Sequence, residues 1–522
     1  MTEHRFAIIA DAHYHPFDCD YGVRGPDGLS LRSWADTRAS TRVFNESAAA
    51  FEAALDRIEA MGLRDVVLLG DYSDDGQELC VSALLERLAA RRNLRFFALP
   101  GNHDSFGPGG RDHAKGFLDA AARPVTVSSR SGAGAYHDPR MRCADHETGV
   151  MRMAAHGFAP QADVLHWETP FGTDPTPSAR RFDCRSRDGG TTLRLFDASY
   201  LVEPVPGLWF LMIDANVFEP TGRGDEVIDS TNAGWNALHR VKPHLLRWIA
   251  GVSLRAERQG KRLLCFSHYP ALDPYRDDEC AEERLFGTTA TALRRPRCDI
   301  GEALCAAGID VHFSGHLHVR RRSTLHHASR QLVNIAVPSL VAWPAGFCVA
   351  RTCAEGLTVE DVSLSDLRND TRILGAYGRE DLESSAGVRA AQDYGSFLRA
   401  HVDALVLHRY LPREWPAERA AEVTGSLDTA LGFAGAAPSG QDLPLLEVVG
   451  DWYRLRAAGA LGMADLHAER RALYKGLAAR LPETAQDQRG AFWALFLRRL
   501  SDFVRDAETE AGPFYQPVPA LP

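Results

Sequence analysis

The chain has 522 residues, of which 45% are hydrophobic and 25% charged, a composition typical of a soluble globular protein and long enough for two or three domains. Its formal net charge is −10, from 59 Lys and Arg against 69 Asp and Glu, which argues against a dedicated nucleic-acid binder because such proteins present a basic face. No apolar stretch approaches the length of a membrane span.

The ten cysteines lie between Cys19 and Cys353 without a C-x-x-C motif, so they support neither a disulfide framework nor a zinc ribbon. The opening stretch "MTEHRFAIIADAH" has an apolar part of only a few residues, which Asp11 interrupts. That pattern indicates a first strand and not a secretory signal. Together these features predict a cytoplasmic protein that binds neither membranes nor nucleic acid.

Six short apolar runs each end in a cluster of Asp, Asn, His or Gly residues. Runs of this length without alternation are typical of strands that are buried on both faces. In chain order they are "FAIIADAH" (6–13), "VVLLGD" (66–71), "FFALPGNHD" (96–104), "LWFLMIDAN" (208–216), "RLLCFSHYP" (262–270) and "VHFSGHLH" (311–318).

Helical patterns separate several of these runs. The first, "NESAAAFEAALDRIEAMG", begins with cap-type residues and ends at Gly62, a typical position for a glycine after a helix. Others cover residues 78–93, 236–260 and 301–308. Strands that alternate with helices predict crossovers and a largely parallel sheet. Because ligand sites lie beyond the carboxyl ends of such strands, we expect the polar clusters to collect at one edge.

Two stretches fall outside this alternation. Residues 105–207 are rich in Gly, Pro, Arg and His, and we expect an insertion with structure of its own over the site edge, since long structureless loops are uncommon in compact domains. From about Ser385 the chain shows mainly helical spacing. The predicted domains are therefore 1–380, which holds the site and the insertion, and 381–522, which is helical.

Eight side chains at the strand ends have the chemistry of a metal site. Carboxylate, amide and imidazole groups without a thiolate suit Mn, Fe, Co, Ni or Zn. That is too many ligands for one tetrahedral ion, but such a set fits two divalent ions that share a carboxylate. Two such ions outweigh the charge of two aspartates, so the site would attract an anion and acidify a bridging water. The side chains are Asp11, His13, Asp71, Asn102, His103, His268, His316 and His318.

Several of these residues have ordinary explanations when they are taken singly. His316 and His318 could be exposed loop histidines, Asp71 could form an Asx turn, and Asn102 could occupy a left-handed turn. Their joint placement favours the metal site, because residues i and i+2 of a strand point the same way and can reach into one cleft.

Other polar residues are interpreted as supporting or structural. We expect this of His15 and Asp74, which lie close to the ligands in sequence. Arg320 and Arg321 are expected on a solvated rim, although either could meet a phosphate. The histidines of the insertion are expected at the surface or in a lid, where one could touch substrate; they are His113, His137, His146, His156 and His166.

The order of the blocks D-x-H, G-D, G-N-H-D, a lone His after a strand, and G-H-x-H resembles the calcineurin-like metallophosphoesterase superfamily. The resemblance covers roughly residues 6–350. It implies an α/β fold in which two mixed β-sheets flanked by helices form a four-layer αββα sandwich. The C-terminal all-helical domain lies outside it.

The resemblance also implies roles for the residues at the strand ends. Asp11, His13 and His318 would hold the first ion, and Asp71 would bridge both ions. Asn102, His268 and His316 would complete the second site. His103 would face the substrate and assist the leaving oxygen, with Asp104 as the candidate residue to orient its imidazole.

Two departures from the family pattern indicate which branch of the superfamily this sequence resembles. Purple acid phosphatases have an iron-binding tyrosine three residues after the bridging aspartate, but here that position is Asp74. The stretch "GDYSDDG" is similar to the G-D-x-V-D-R-G block of protein serine/threonine phosphatases, except that Asp75 replaces the phosphate-binding arginine. A generic bacterial-type phosphoesterase is the remaining interpretation.

The resulting hypothesis is a dinuclear metallophosphoesterase in which a metal-bridging hydroxide attacks phosphorus in line and His103 assists. Its expected substrate is a small-molecule phosphomonoester, phosphodiester or both. A cyclic-nucleotide or other specific phosphodiesterase is an alternative, and a non-catalytic scaffold on the same fold is an alternative of another class. The sequence does not define the substrate, the metals or the oligomeric state.

Overall fold

The computed structural model describes residues 3–229, 232, 234–277, 279–441, 443–510 and 512–517. Its strands, in chain order, are β1 (His4–Ile9), β2 (Asp65–Leu69), β3 (Arg95–Leu99), β4 (Ala114–Leu118), β5 (Pro124–Ser128), β6 (Tyr136–His137), β7 (His166–Glu168), β8 (Arg181–Arg185), β9 (Thr192–Phe196), β10 (Tyr200–Val205), β11 (Leu208–Ile213), β12 (Phe218–Pro220), β13 (Val227–Asp229), β14 (Arg262–Ser267), β15 (Val311–Ser314), β16 (Arg321–His327), β17 (Arg330–Ala336), β18 (Gly346–Thr352), β19 (Gly356–Ser363) and β20 (Phe514–Pro517).

The α-helices lie between the strands and, above all, after β19. They are α1 (Trp34–Thr37), α2 (Ser47–Ala60), α3 (Glu78–Ala90), α4 (His146–Arg152), α5 (Trp235–Val241), α6 (Pro243–Arg258), α7 (Ala281–Phe286), α8 (Ala290–Arg294), α9 (Cys298–Ala306), α10 (Thr371–Glu380), α11 (Ala386–Arg389), α12 (Tyr394–Leu405), α13 (Leu411–Arg413), α14 (Ala417–Glu422), α15 (Leu427–Phe433), α16 (Leu445–Ala458), α17 (Ala468–Arg480) and α18 (Gln488–Glu510).

Two mixed sheets form the centre of the molecule. The first has the order β20-β19-β18-β1-β2-β3, in which β1, β2 and β3 are parallel. The second has the order β16-β17-β15-β14-β11-β10-β7, in which β17, β15, β14 and β11 are parallel. All six apolar runs of the sequence are strands of these sheets.

The sheets pack face to face, with helices on their outer sides. Phe6 of β1 and Phe97 of β3 contact Phe210 of β11, with ring centroids 4.7 and 5.7 Å apart. Buried residues of α2 and α3 join this central core, whereas α5, α6 and α9 cover the far side of the second sheet. The predicted four-layer αββα sandwich is confirmed.

The helical segments differ from the sequence prediction in one place. Gly62 follows α2 with a φ of +68°, as expected of a glycine that ends a helix. The single helix expected over 236–260 is instead two helices, α5 and α6, which meet at Lys242. Pro243 opens α6 because proline lacks the amide that would continue the preceding helix.

Residues 105–207 contain small elements of their own beside the main sheets. β4, β5 and β6 form one small sheet, and β8 and β9 form a two-stranded sheet. β7 pairs with β10 and so becomes the edge of the seven-stranded sheet. The hairpin at the end of the stretch is formed by β10 and β11, which are antiparallel.

The C-terminal region is helical from α10 to α18, apart from its last described segment. That segment, β20, pairs antiparallel with β19 and extends the six-stranded sheet. Buried side chains of α12, α16 and α18 belong to the same hydrophobic core as β1 and β2. Among the described residues, no helix is long and apolar enough to span a bilayer.

Two arginines expected on a solvated rim are instead at the join between β16 and the C-terminal helices. Arg321 is fully buried, and its guanidinium lies 3.1 Å from the carboxylate of Glu510 on α18. Arg320 forms an ion pair with Asp361 on β19. The interpretation as rim residues was therefore wrong, because a charged run in the sequence does not reveal a later helix that supplies its partners.

Candidate metal centre

The predicted metal ligands follow directly on strands of both sheets. Asp11 follows β1, Asp71 follows β2, and Asn102 follows β3 in the first sheet. His268 follows β14 and His316 follows β15 in the second. The carboxyl ends of these parallel strands meet at one edge of the sandwich, which is where open α/β sheets hold their ligands.

Six of the seven predicted ligands form two groups that share Asp71. In one group, the ligand atoms of Asp11, His13, Asp71 and His318 all lie within 4.8 Å of one another. In the other, Asp71 is grouped with His268 and His316. All six side chains are buried.

The seventh, Asn102, lies beside the second group. Its amide oxygen is 3.1 Å from Nε2 of His268, and that nitrogen is in turn 3.2 Å from Oδ2 of Asp71. The arrangement of all seven side chains therefore matches the one that the family resemblance implies.

The hydrogen bonds of two imidazoles direct their ligand nitrogens inward. Nδ1 of His268 contacts the carbonyl of Leu69 at 3.0 Å, and Nδ1 of His318 contacts the carbonyl of Thr41 at 3.2 Å. Each Nδ1 must carry the proton, because a carbonyl only accepts. In a neutral ring Nε2 then has a lone pair.

These lone pairs face other acceptors across short gaps. Nε2 of His318 is 3.0 Å from Nε2 of His13 and 3.6 Å from Oδ1 of Asp11. Nε2 of His316 is buried without a hydrogen-bond partner among the described residues. Carboxylate oxygens and imidazole nitrogens that converge this closely are a donor set that fits divalent ions.

The buried groups do not all share the protonation state of a metal ligand: burial raises the pKa of Asp11 to about 8, and Asp71, which outweighs the effect of burial, raises the pKa of His268 to about 9. Burial lowers the pKa of His13 and His316 well below the usual value and that of His318 to about 3, which keeps these rings in the neutral form that binds metals. Burial would raise the pKa of Asp71, but the positive charge of His268 outweighs it and holds that pKa well below its ordinary range. Asp71 is therefore a carboxylate.

The backbone at the ligands is held in an uncommon conformation. Five of the seven have a positive φ in the left-handed region: Asp11 (50°), His13 (42°), Asp71 (50°), His316 (74°) and His318 (55°). Non-glycine residues adopt this region rarely, and it costs about 1–3 kcal/mol each where the surrounding structure imposes it. Such strain concentrates at functional sites because it directs side chains toward a common point.

Two glycines allow the loops to approach the aspartates closely. A Cβ on Gly101 would lie 2.2 Å from Oδ1 of Asp71, and a Cβ on Gly315 would lie 2.6 Å from Oδ2 of Asp11. Neither carboxylate can give way without leaving the ligand group. The glycines of the G-N-H-D and G-H-x-H blocks are thus required, because any side chain there would clash with an aspartate carboxylate.

His103 lies at the rim of the ligand groups, with its imidazole partly exposed. Its backbone amide donates to Oδ1 of Asp71 at 2.7 Å, and its Nδ1 donates to the carboxylate of Asp75. The guanidinium of Arg42 lies 3.5 Å from both ring nitrogens. Burial and the charge of Arg42 lower the pKa of His103 to about 3, so the ring is neutral and its Nε2 is an acceptor.

Asp104 does not orient His103, contrary to the sequence hypothesis. Its carboxylate accepts from the backbone amides of Gly101 at 2.9 Å and Ser73 at 2.9 Å. It therefore ties the loop after β3 to the loop after β2. The orienting carboxylate is Asp75, which is itself in contact with the ammonium of Lys115 from β4.

The supporting roles expected for His15 and Asp74 agree with the structure. The backbone amide of His15 donates to the hydroxyl of Ser47 at 2.9 Å, and its buried ring lies outside both ligand groups. Asp74 accepts from Arg32 at 2.8 Å and Arg42 at 3.2 Å.

Two histidines of the insertion are buried, so their placement at the surface was wrong. Nε2 of His113 contacts the carbonyl of Asp75 at 2.9 Å. His146 lies between Ser105 and Asp214, at 2.7 and 2.9 Å. His137 is exposed, and His156 and His166 are partly exposed.

The sequence did not predict four residues of the site. They are Arg42, Asp75 as the partner of His103, Lys115 and Arg294. Arg294 lies at the end of α8, close enough to His316 and His103 for its charge to lower both pKa values. The replacement of the family's arginine by Asp75 was a usable signal, since a carboxylate there needs cationic neighbours. Arg42, Lys115 and Arg294 stand in no motif.

A comparison of the sequence with protein families also points to the residues of this candidate metal centre. Residues 4–143 match the model of the calcineurin-like phosphoesterases. That segment contains Asp11, His13, Asp71, Asn102 and His103, and the remaining ligands follow at the ends of β14 and β15. No curated protein matches the chain significantly.

Solved structures of low sequence identity are similar over about two thirds of the chain. A dimetal phosphatase from Danio rerio has 14% identity, covers 69% of this chain and 96% of its own, and gives a TM-score of 0.38. The purple acid phosphatase PPD1 from yellow lupin has 11% identity, with 69% and 52% covered and a TM-score of 0.32. GAP50, the anchor in the inner membrane complex of Plasmodium, has 10% identity, with 70% and 85% covered and a TM-score of 0.31.

The similarity to this family therefore depends on the sequence match and on the convergence of the candidate ligand side chains, and not on these distant structures. The match supplies the first three blocks, and the geometry adds the imidazoles of the second sheet. Over residues 4–143 the chain is thus similar to the calcineurin-like phosphoesterases.

Proposed function

We propose that this protein hydrolyses small phosphoesters at a site for two divalent metal ions. Asp11, His13 and His318 would hold one ion, and Asn102, His268 and His316 the other, with Asp71 shared between them. The single observation that carries the proposal is the position of Asp71, whose carboxylate belongs to both ligand groups.

The oxygen and imidazole ligands suit Mn, Fe, Co, Ni or Zn, since no thiolate takes part. When bound, two such ions supply Lewis-acid stabilisation of a phosphoryl group and a nucleophile from water at neutral pH. The aspartates neutralise only part of their charge, so the pocket would attract the anionic substrate.

His103 would move a proton at its Nε2 atom. Asp75 holds Nδ1–H, which fixes the ring orientation and leaves Nε2 directed away from that carboxylate. A phosphoester dianion beside the ring would favour the protonated imidazole, which then donates to the leaving oxygen. Arg42 lies next to the ring and would add a second donor for phosphate oxygens.

The experiment that tests the proposal measures hydrolysis of p-nitrophenyl phosphate and bis-p-nitrophenyl phosphate by protein loaded in turn with each candidate metal. A chelator should abolish turnover, and added metal should restore it. The ratio of the two rates separates a monoesterase from a phosphodiesterase, including one specific for cyclic nucleotides. Protein that binds two metals per chain but hydrolyses no phosphoester would overturn the proposal in favour of a scaffold.

A further inference from the structure

A cleft extends from the metal ligands to the C-terminal helices. His316 and His318 form its inner end, while Arg409, Tyr410 and Tyr453 of the C-terminal region line its outer part. It encloses about 80 Å³. That is several times the volume of about 10–15 Å³ that a cavity needs to hold one water, so a small anionic group fits and a folded macromolecule does not.

Arg294 enters this cleft from α8 without a carboxylate to neutralise it. Its Nε donates to the amide oxygen of Asn232 at 3.2 Å, and no acidic side chain among the described residues forms an ion pair with it. Burial lowers the pKa of Arg294, and the nearby charge of Arg409 acts in the same direction. Two guanidinium groups thus repel each other across the cleft.

Arg409 is only weakly compensated. Its one carboxylate neighbour among the described residues is Glu414, at 3.6 Å from Nε, and that nitrogen is buried without a hydrogen-bond partner. A terminal nitrogen donates to the carbonyl of Ala39 at 3.0 Å. Arg456, by contrast, is neutralised by Glu282 through two contacts of 2.9 Å.

A further donor on the cleft wall lacks a partner. Trp343 is 8% exposed, and its indole nitrogen is buried with no hydrogen-bond partner in the described part of the chain. Tyr410 and Tyr453 also line the cleft and stack on each other, with ring centroids 4.0 Å apart and planes 9° from parallel. The cleft therefore combines two guanidinium groups that lack full counter-charge with a free indole donor and aromatic walls.

We infer that this cleft binds the leaving-group end of the substrate and selects phosphoesters that carry a second anionic group, such as a carboxylate, phosphonate or phosphate. Arg294 and Arg409 are the residues that recognise that group. The inference rests on the proposed function, because the cleft is a substrate subsite only if the metal ligands perform hydrolysis. It also gives the C-terminal region a direct part in recognition.

The physical reason is the electrostatic repulsion between Arg294 and Arg409, which raises the free energy of the cleft until an anion binds. Two buried or half-buried guanidinium groups without full counter-charge are unfavourable, and a bound anion would remove the repulsion while accepting charge-assisted hydrogen bonds. The metal ions would occupy the inner end and bind the reacting phosphate. A second anion would then lie beside Arg294 and Arg409.

The test compares two substrates with the same skeleton, 3-phosphonopropyl phosphate and its dimethyl phosphonate ester, with metal-loaded protein. Only the first carries the second anion. We expect kcat/KM to favour it by at least about tenfold, through KM. Arg294→Gln and Arg409→Gln should each remove most of this preference, measured as the ratio of the kcat/KM values for the two substrates.

Arg413→Gln serves as the matched control, since Arg413 is an exposed arginine on the neighbouring helix α13. A second readout is the binding of methylenediphosphonate by calorimetry, which should weaken in both cleft variants and not in the control. Equal kcat/KM for the two substrates, or unchanged binding in the cleft variants, would overturn the inference. Failure to hydrolyse either substrate, with diphosphonate binding retained, would instead contradict the proposed function alone.

Discussion

The carboxylate of Asp75 accepts the Nδ1–H of His103, and this contact fixes the imidazole beside the shared ligand Asp71. Asp75 is itself held in place, since its backbone amide donates to Gln77 and its carboxylate contacts Lys115. Asp75 and His103 therefore connect the candidate metal ligands to the insertion, through Lys115 on β4.

We predict that Asp75→Asn lowers kcat by about 10–100-fold while KM changes little, because a general acid–base group contributes about 10²–10⁴-fold and this change misorients it without removing it. His103→Ala should cost more, and the double variant should be no worse than His103→Ala. Metal content should remain unchanged in all three. Asp56→Asn, at an exposed position of α2, is the control. Additive losses in the double variant would show that Asp75 acts elsewhere.

We predict that Asp71→Ala loses both metal ions, because its carboxylate belongs to both ligand groups. Asp11→Ala should lose mainly one, since Asp11 belongs to the first group alone. Elemental analysis of the purified variants measures the metals directly, and Asp163→Ala on the surface is the reference. Full metal content in Asp71→Ala would contradict the shared position of this carboxylate.

A third prediction concerns the pH dependence of stability. Burial raises the pKa of Glu46 from 4.5 to about 7, and one of its carboxylate oxygens has no hydrogen-bond partner among the described residues. The folded state therefore holds a proton that the unfolded chain releases above pH 4.5. Stability falls as pH rises from about 4.5 to 7, by about 3 kcal/mol in total.

Replacing Glu46 with glutamine should remove this loss, because an amide keeps a neutral group that can accept from Tyr377. We expect Glu46→Gln to raise the melting temperature at pH 8 and to change it little at pH 4.5. The exposed Glu86→Gln on α3 controls for a change of net charge. An equal effect of Glu46→Gln at both pH values would refute the explanation.

A fourth prediction concerns the join between the sheets and the C-terminal helices. Arg321→Ala should destabilise the protein by up to about 3–5 kcal/mol, because it leaves the buried carboxylate of Glu510 with only the more distant guanidinium of Arg276, at 3.8 Å. Arg322→Ala should cost less, since Arg322 is partly exposed and donates to a backbone carbonyl. Denaturant unfolding measures both. A joint change of Arg321 and Glu510 to leucine should cost less than Arg321→Ala alone.

The sequence predicted which side chains converge at the edge of the sandwich, because their positions depend on local features. Each follows an apolar run, and the ends of parallel strands meet at one edge whatever the rest of the chain does. The same reasoning predicted one parallel sheet, however, whereas the strands divide between two sheets. Both sheets direct their carboxyl ends to the same edge, so the ligands converge in either case.

The residues around the ligands could not be predicted in this way. Asp75 and Asp104 lie in adjacent motifs, and only the folded loop shows that Asp104 binds backbone amides while Asp75 reaches His103. Lys115 lies on β4 in the insertion, Arg294 lies at the end of the short helix α8, and Arg409 lies far along the chain, just before α13. Their contacts depend on tertiary packing, which has no short-range pattern.

The left-handed backbone at five of the ligands limits how this site can change during evolution or design. Asparagine and glycine tolerate such a φ, whereas valine, isoleucine and threonine would disturb the loops as well as remove a ligand. A lineage that abandons catalysis would therefore pass most readily through asparagine at Asp11 or Asp71, with the loops preserved. Libraries that randomise these positions should return few β-branched residues, even when selection acts on folding alone.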